Sequence, residues 1–485
     1  MAIVAWRRQA PAWIALTLLF VTVVRLGMGL GYANNGDFWR AMAPSGIVYR
    51  AGLSDRQIFF RDRQAFYQLG PSPLHPGEVM YSLEDLVVWA AMILQKALAP
   101  AATARGVFHL FPVSAILAAL GYVLVRAAWP ASEARRWLAV GLVWVAADPY
   151  YSLFLGSMYS EGLAIVALLG LALALLVMGG SVRAGILVGV CLFLFTFSKT
   201  QSVLTPVLLA CVWLAVLRRR PSLRVVGVLV VVFAATAAFF STRPPQTKLR
   251  AVGDFHTVFY GVAMTSAEPA SVLADLGFSP EAVELVGRPM FAAETRLYLY
   301  PGFEAELASF SRWRALLVHL REPTAVRDVL RRASAALRTT RIDYLGQYEE
   351  PYGLPGAGVC GPFDFCAPRS VLSDRAWPLY WAVLALASGV VLSAGAWRWL
   401  RMYWLFLALF ATTHVYIVFL ASGLFEFEKH LVLARLALDF LFVTGCAVVT
   451  RSATVLIFSR LSLSRGGITE RPADLPPLGA RNPAR

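Results

Sequence analysis

Charged residues are scarce in this chain, and their scarcity excludes most soluble folds. Only 15% of its 485 residues are charged, whereas 58% are hydrophobic and the mean hydropathy is +0.62. Soluble domains carry roughly 25% charged residues. Several apolar runs are also long enough for a membrane-spanning helix, which needs about 20 residues. The composition therefore predicts a polytopic protein embedded in a lipid bilayer.

Lysine is rarer still, since Lys96, Lys199, Lys248 and Lys429 are the only four. Arginine supplies most of the net charge of +15, and it clusters in short loops between apolar runs. The positive-inside bias of membrane proteins produces this pattern, so the charge does not indicate a nucleic-acid partner. The excess of arginine and alanine is typical of a GC-rich bacterial genome, so we expect a multi-pass protein of the bacterial cytoplasmic (inner) membrane.

Several catalytic motifs are missing from the sequence. It contains no G-x-x-x-x-G-K-[ST], no H-E-x-x-H and no G-x-S-x-G. These absences exclude a P-loop, a zincin site and a nucleophile elbow. The six histidines are scattered, which disfavours a dedicated zinc site.

The apolar runs predict an all-α fold of about ten transmembrane helices with both chain ends inside and helical outer loops. The predicted spans are 13–32, 105–126, 137–155, 162–179, 184–197, 202–217, 225–241, 376–395, 402–422 and 430–449. The predicted units are an N-terminal transmembrane module at 1–241 with a first outer loop at 33–104, a large extracytoplasmic loop domain at 242–375, C-terminal helices at 376–450 and a cytoplasmic tail at 451–485.

Polar side chains gather at the predicted outer ends of the helices. They are Asp37, Asp148, Glu161, Lys199, Gln201 and the stretch FEFEKH with Lys429 and His430. Any one of them fits a side chain that snorkels from a helix end. Ionisable groups at membrane depth are costly, however, and usually functional. The set therefore indicates a site at the outer face of the membrane.

Asp37 follows the first span after an Asn-Asn-Gly turn. A carboxylate in this place can act as general base on an acceptor hydroxyl. It can equally cap the helix that follows, as Asp often does. The residues alone favour neither interpretation.

Lys199 and Lys429 are compact charges that suit a phosphate leaving group, and His430 can add a hydrogen bond or a proton. Arg435 and Asp439 stand four residues apart in the last span, which favours an internal ion pair over a catalytic role. A cavity-facing Arg435 stays open as the alternative. Spacing gives no support to a divalent metal between Asp37 and Asp148 or Glu161.

Five cysteines are present, and three of them lie in apolar runs, where cysteine behaves as a small buried hydrophobe. Cys360 and Cys366 flank GPFDF in a polar loop. A disulfide and two free thiols are equally compatible with this pair, because pairing geometry is not encoded in spacing.

Three stretches together resemble the GT-C superfamily of membrane glycosyltransferases: NNGDFWRAMAPSGI, FHTVFYGVAMTSAEPASVLADLGFSPE and FEKHLVLARLALDFLF. More narrowly, they are similar to bacterial hexose transferases of surface (S-layer) glycan assembly. YSEG and SKTQ fit the same pattern, and the similarity runs from Asn34 to Phe442.

The resemblance implies an inverting hexose transfer at the outer face, from a polyprenyl-phosphate-linked donor to a cell-surface glycan or lipid-linked acceptor. It implies no required cofactor and leaves a divalent metal optional. Asp37 would be the base. The residues implied at the lipid phosphate are Lys199, Gln201, Lys429, His430 and Arg435. The residues implied at the acceptor, or in support of the site, are Arg40, Asp148, Glu161, Asp254, His256 and Tyr260. The family often has acidic or glycine-rich residues before the Lys-His pair; here Glu426 and Glu428 stand in SGLFEFE, and the resemblance assigns them no role.

Three other functions remain open. They are a flippase or transporter of polyprenyl-linked glycans, an O-antigen ligase-like enzyme and a non-catalytic assembly subunit. A transporter predicts ionisable residues at mid-membrane and broken helices. Here the polar set lies at one face beside a large outer segment, which favours an enzyme.

Overall fold

The computed structural model describes residues 2–27, 38–53, 66–72, 74, 79, 81–177, 182–216, 223–242, 247–339, 360–361, 363–393 and 398–465. Helices dominate these residues, as the predicted all-α class requires. Asp37 and the part of the predicted cytoplasmic tail beyond residue 465 lie outside the described residues.

The first half of the chain consists of helices joined by short turns. Its helices are α1 (Ala2–Gly27), α2 (Phe38–Met42), α3 (Glu84–Leu98), α4 (Pro100–Ala104), α5 (Phe111–Ala127), α6 (Glu133–Ala146), α7 (Pro149–Ser152), α8 (Glu161–Val177), α9 (Val182–Ser198), α10 (Thr205–Val216) and α11 (Leu223–Ser241). Single 3₁₀ turns at Ala43–Ser45, Leu153–Gly156 and Thr200–Ser202 interrupt this series.

The second half continues in the same manner. Its helices are α12 (Thr247–Thr257), α13 (Ala263–Thr265), α14 (Pro269–Leu276), α15 (Phe303–Ser309), α16 (Arg312–Leu320), α17 (Pro323–Arg338), α18 (Cys366–Arg375), α19 (Trp377–Ser393), α20 (Arg398–Ser422), α21 (Phe427–His430) and α22 (Val432–Arg465). A π-helical turn at Val258–Val262 joins α12 to α13, and 3₁₀ turns lie at Pro280–Leu285 and Ala293–Tyr298.

A small antiparallel sheet departs from the predicted all-α fold. Its strands are β1 (Ile47–Val48), β2 (Phe66–Leu69) and β3 (Val107–His109), paired in that order. Strand β3 also corrects the predicted span 105–126. The helix begins only at Phe111, because Gly106 has φ +72° and the residues after it pair in the sheet.

Within the described ranges, two helices are long and apolar enough by themselves to cross a membrane: Arg398–Ser422 and the Val432–Val455 part of α22. Two further candidates are bent pairs, 133–146 with 149–156 at 60° and 366–375 with 377–393 at 106°. Six shorter apolar helices coincide with the other predicted spans. The chain is therefore a multi-pass membrane protein by composition, while the count of ten spans stays a prediction.

Helix α8 is the centre of the bundle, because every residue from Glu161 to Leu176 is buried. Two glycines let neighbours approach it closely. A Cβ on Gly162 would stand 2.6 Å from the carbonyl oxygen of Phe154, and one on Gly170 would stand 2.8 Å from Sγ of Cys191. Small residues permit such close helix packing in membrane proteins. The packing holds the N-terminus of α8, with Glu161, against the C-terminal end of α9.

Candidate functional site: a basic inner cavity and an arginine-lined cleft

A small cavity of about 150 Å³ lies where α8 begins, α9 ends and α20 gives way to α22. Its lining residues are Ala41, Tyr81, Ser82, Met158, Tyr159, Ser160, Glu161, Ser198, Lys199, Thr200, Gln201, Lys429 and His430. The cavity thus collects Glu161, Lys199, Gln201, Lys429 and His430 from three distant parts of the sequence. We call it the inner cavity.

Lys199 and Glu161 form the ion pair at its base. Helix α9 ends at Ser198, and the extended backbone of Lys199 turns its side chain toward the start of α8. Its Nζ lies 2.5 Å from Oε1 of Glu161, and the two side chains are only 10% and 4% exposed. A buried charge needs a partner, so this pair explains how both ions are accommodated.

The segment before α3 is bound to both of these helix ends. The Leu83 N–H donates to the carbonyl oxygen of Phe197 at 2.9 Å. Oε2 of Glu84 accepts from the N–H of Leu163 at 3.0 Å, which satisfies one of the first N–H groups of α8. Burial raises the pKa of the Glu84 carboxyl well above its usual range. These bonds hold Tyr81 and Ser82 in the cavity wall.

Lys429 and His430 enter from the break between α20 and α22. Gly423 and Glu426 both adopt left-handed backbone there, at φ +59° and +47°. A non-glycine residue in this region costs free energy and often marks a functional segment. The turn places Nζ of Lys429 3.0 Å from Oε2 of Glu426 and 4.9 Å from the ring centre of Tyr159.

His430 lines both the inner cavity and the larger cleft that adjoins it. Among the described residues, its Nδ1 has no hydrogen-bond partner. This nitrogen is itself buried, so it is an unsatisfied polar atom in the wall of the site.

A larger cleft of about 1080 Å³ adjoins the inner cavity, and Tyr81, Thr200, Gln201 and His430 line both. Its polar wall includes Arg40, Arg250, His256, Arg312 and Glu426, and its apolar wall includes Leu204, Leu208, Phe240, Trp313, Tyr416 and Leu420. We call it the outer cleft. The two spaces form one continuous site with a basic end and a wide amphipathic end.

The segment after the first span leads into this site. Arg40 lines the outer cleft, and Ala41 lines the inner cavity. Asp37 lies outside the described residues and precedes Arg40 by three positions in the sequence.

His256 and Tyr260 lie beside the outer cleft at the π-helical turn, a feature common at functional sites. The His256 ring stacks on Phe425 at 4.4 Å, and its Nε2 accepts from the N–H of Met290 at 3.1 Å. Burial lowers the pKa of His256 to about 4. Tyr260 is half-buried and contacts the rings of His256 and Phe425.

Asp254 is buried beneath the outer cleft rather than open to it. Its Oδ1 lies 2.7 Å from Nε of Arg312, and its Oδ2 lies 3.4 Å from Nε of Arg250. The carboxylate therefore holds two arginines in the cleft wall. The sequence analysis identified Asp254 but neither arginine.

Asp148 lies elsewhere in the structure, as a structural cap. Its Oδ1 accepts from the N–H of Tyr150 at the start of α7, and its Oδ2 accepts from the N–H of Cys366 at 2.5 Å. Cys366 in turn forms a disulfide with Cys360. Asp148 lines neither cavity. Asp148 is therefore the N-cap residue of α7, which begins at Pro149, and does not belong to the site.

Arg435 belongs to a second buried polar cluster away from both cavities. Its Nε lies 3.9 Å from Oδ2 of Asp439, and its guanidinium lies 3.7 Å from the ring centre of Tyr150. Asp439 also pairs with Arg369 and accepts from the hydroxyl of Tyr151. Arg435 and Asp439 thus form the internal ion pair that their spacing favoured. Arg435 does not line the inner cavity that holds Lys199 and Lys429.

The comparison with protein families matches the YfdI N-terminal transmembrane domain over residues 6–460. The chain belongs to this family. A search of curated proteins returns no match.

In this YfdI-domain chain, Arg250, Arg312 and Tyr81 were not predicted as site residues from the sequence. The arginines lie in the segment 242–375, where many arginines occur, and nothing in the local sequence distinguishes them from surface charges. Their common partner Asp254 is the signal that could have found them, since Arg250 stands four residues before it. Within the described part of the chain, no three His, Cys, Asp or Glu side chains converge as a metal site requires.

Proposed function

We propose that this protein is a membrane glycosyltransferase. It moves a hexose from a polyprenyl-phosphate-linked donor to a cell-surface glycan or lipid-linked acceptor. The observation that carries the proposal is the convergence of Lys199, Lys429, Gln201 and His430 on one small cavity at the end of an amphipathic cleft. The YfdI domain is GT-C-like and related to membrane glycosyltransferases, which supports the same class of function.

The inner cavity suits the phosphate of the donor. Lys199 pairs with Glu161 and Lys429 pairs with Glu426, which fixes both ammonium groups in the cavity wall. Both side chains are largely removed from water. Preorganised cations in a water-poor cavity stabilise a departing phosphate far better than cations in water.

The outer cleft suits a lipid-linked sugar. Leu204 and Leu320 line the cleft and are about half exposed to the surroundings of the protein. In a membrane chain, such apolar surface faces lipid, so a prenyl chain can lie there while its phosphate reaches the inner cavity. Trp313 and Phe291 on the same walls are exposed and suit the stacking that sugars favour.

Asp37 is the proposed general base. The acceptor hydroxyl attacks C1 of the hexose, and the new C1–O bond forms as the bond from C1 to the phosphate oxygen breaks. Asp37 takes the hydroxyl proton, and the polyprenyl phosphate leaves with the electron pair. Attack opposite the leaving group inverts the anomeric configuration. The donor bond is already activated, so the step needs no nucleotide.

The proposal is tested by glycan analysis of a deletion strain that carries either the wild-type gene or the Asp37→Asn variant. We expect the deletion strain to lose one hexose from its surface glycan, wild type to restore it, and Asp37→Asn to fail at normal membrane expression. An unchanged glycan in the deletion strain would refute the function. Restoration of the hexose by Asp37→Asn would refute the role of Asp37 as general base but not the proposed function.

A further inference from the structure

Two arginines in the wall of the outer cleft share one buried carboxylate. Arg312 of α16 and Arg250 of α12 each bind Asp254 through Nε. Among the described residues, their terminal nitrogens make no further hydrogen bond. Both guanidinium groups thus line the cleft with terminal N–H donors to spare, and such donors bind oxyanions strongly.

Close packing fixes Arg312 in place. A Cβ on Gly253 would stand 2.5 Å from the carbonyl oxygen of Ala421 and 3.0 Å from Nη2 of Arg312. Only glycine lets α12 approach α20 this closely while Arg312 lies over it. Arg312 is therefore built into the fold, whereas Arg250, whose side chain is 72% exposed, is held by its ion pair with Asp254.

The outer cleft also carries a surplus of positive charge. Arg250 and Arg312 line it, whereas Glu426 is the only carboxylate among its described lining residues. Glu426 already pairs with Lys429. Asp254 beneath the wall offsets one further charge, so the cleft still attracts an anion.

We propose that Arg250 and Arg312 form a second anion site, distinct from the inner cavity, which binds an anionic group of the acceptor. The inference rests on the proposed function in one respect: the donor phosphate takes the inner cavity, so this anion belongs to the other substrate. The anion is a diphosphate linking the acceptor to its lipid or the carboxylate of an acidic sugar. Both offer oxygens that a guanidinium fork binds in two-point fashion.

The test is calorimetric titration of the full-length protein in nanodiscs with inorganic pyrophosphate and, separately, with methyl glucuronide. A short prenyl phosphate is added first, and its own binding is measured, to occupy the inner cavity. Arg250→Gln is the main variant, because its side chain is 72% exposed and Arg312 still pairs with Asp254. Arg314→Gln is the matched control, an exposed arginine on α16 outside the cleft.

We expect at least one probe to bind. Arg250→Gln should lower the affinity of that probe about tenfold, because one charge-assisted contact is lost. Arg314→Gln should bind as wild type does. Arg312→Lys, which keeps the charge beside Asp254 but loses the fork, should weaken the same probe. Binding of pyrophosphate alone assigns the diphosphate, and binding of the glucuronide alone assigns the acidic sugar.

Two outcomes would overturn the inference: neither probe binds, or Arg250→Gln and Arg314→Gln retain equal affinity. Failure of the proposed function has a different signature. In that case the prenyl phosphate does not bind, whatever the two probes do.

Discussion

Replacing Lys199 by Met separates the structural role of this residue from its proposed role at the phosphate. The substitution leaves the carboxylate of Glu161, only 4% exposed, without its partner at 2.5 Å. Breaking a buried ion pair from one side costs about 3–5 kcal/mol. We therefore expect Lys199→Met to lower the free energy of unfolding by about that amount.

The companion variant removes both charges. Lys199→Met with Glu161→Gln leaves no uncompensated ion in the inner cavity, so most of the stability should return, since an isolated buried pair contributes little net stability. Hexose transfer should not return, because the cation at the phosphate is still missing. Loss of one preorganised group of this kind lowers kcat about 100-fold or more.

The assay combines thermal unfolding in nanodiscs with the rate of hexose transfer. Lys96→Met is the control, an exposed lysine on α3 outside both cavities. Recovery of transfer in the double variant would refute the phosphate role and leave Lys199 as a structural cation only. Full stability of the single variant would refute the buried ion pair itself.

Three further outcomes are expected. Asp37→Asn should fold as wild type does, by its melting curve, yet transfer hexose at least 100-fold more slowly, since the general base is lost; unchanged kinetics would exclude this role. Replacing Cys360 and Cys366 together by Ser should cost about 2 kcal/mol of stability, because the disulfide closes a short loop; an equal melting temperature with and without reductant would contradict this. The His256 pKa of about 4 lies below the unfolded value near 6.5. Its contribution to stability is thus complete above about pH 6.5 and lost as pH falls toward 4, by up to about 3 kcal/mol. In the His256→Asn variant, the melting temperature should fall less steeply between pH 6.5 and pH 4 than in wild type. An equally steep fall in both proteins would contradict this prediction.

Much of the inner cavity could be predicted from position along the sequence. Lys199, Gln201, Lys429 and His430 all lie at helix ends, and topology alone places such ends together at one face. Polar residues next to long apolar runs are conspicuous because so few exist in this chain. The helices themselves were predictable because the apolar runs that form them are long and contain few polar residues.

The rest depends on contacts between distant segments. Arg312 and Asp254 are 58 residues apart, and the packing of both α12 and α16 against α20 brings them together. Asp148 was assigned to the site because it lies near the end of a span, but its neighbours Pro149 and Tyr150 make it a helix cap. The strands of the small sheet have two to four residues, too few to show an alternating pattern.

The most direct test of the central claim is transfer by the purified protein in nanodiscs, given a polyprenyl phosphate carrying labelled hexose and a lipid-linked glycan acceptor. We expect label in the acceptor, one polyprenyl phosphate released for each hexose transferred, and an inverted anomeric centre. Transfer of label to the acceptor and release of polyprenyl phosphate should both be lost in the Lys429→Ala variant. Donor that crosses the bilayer intact, with no label in the acceptor, would contradict the account and identify a transporter.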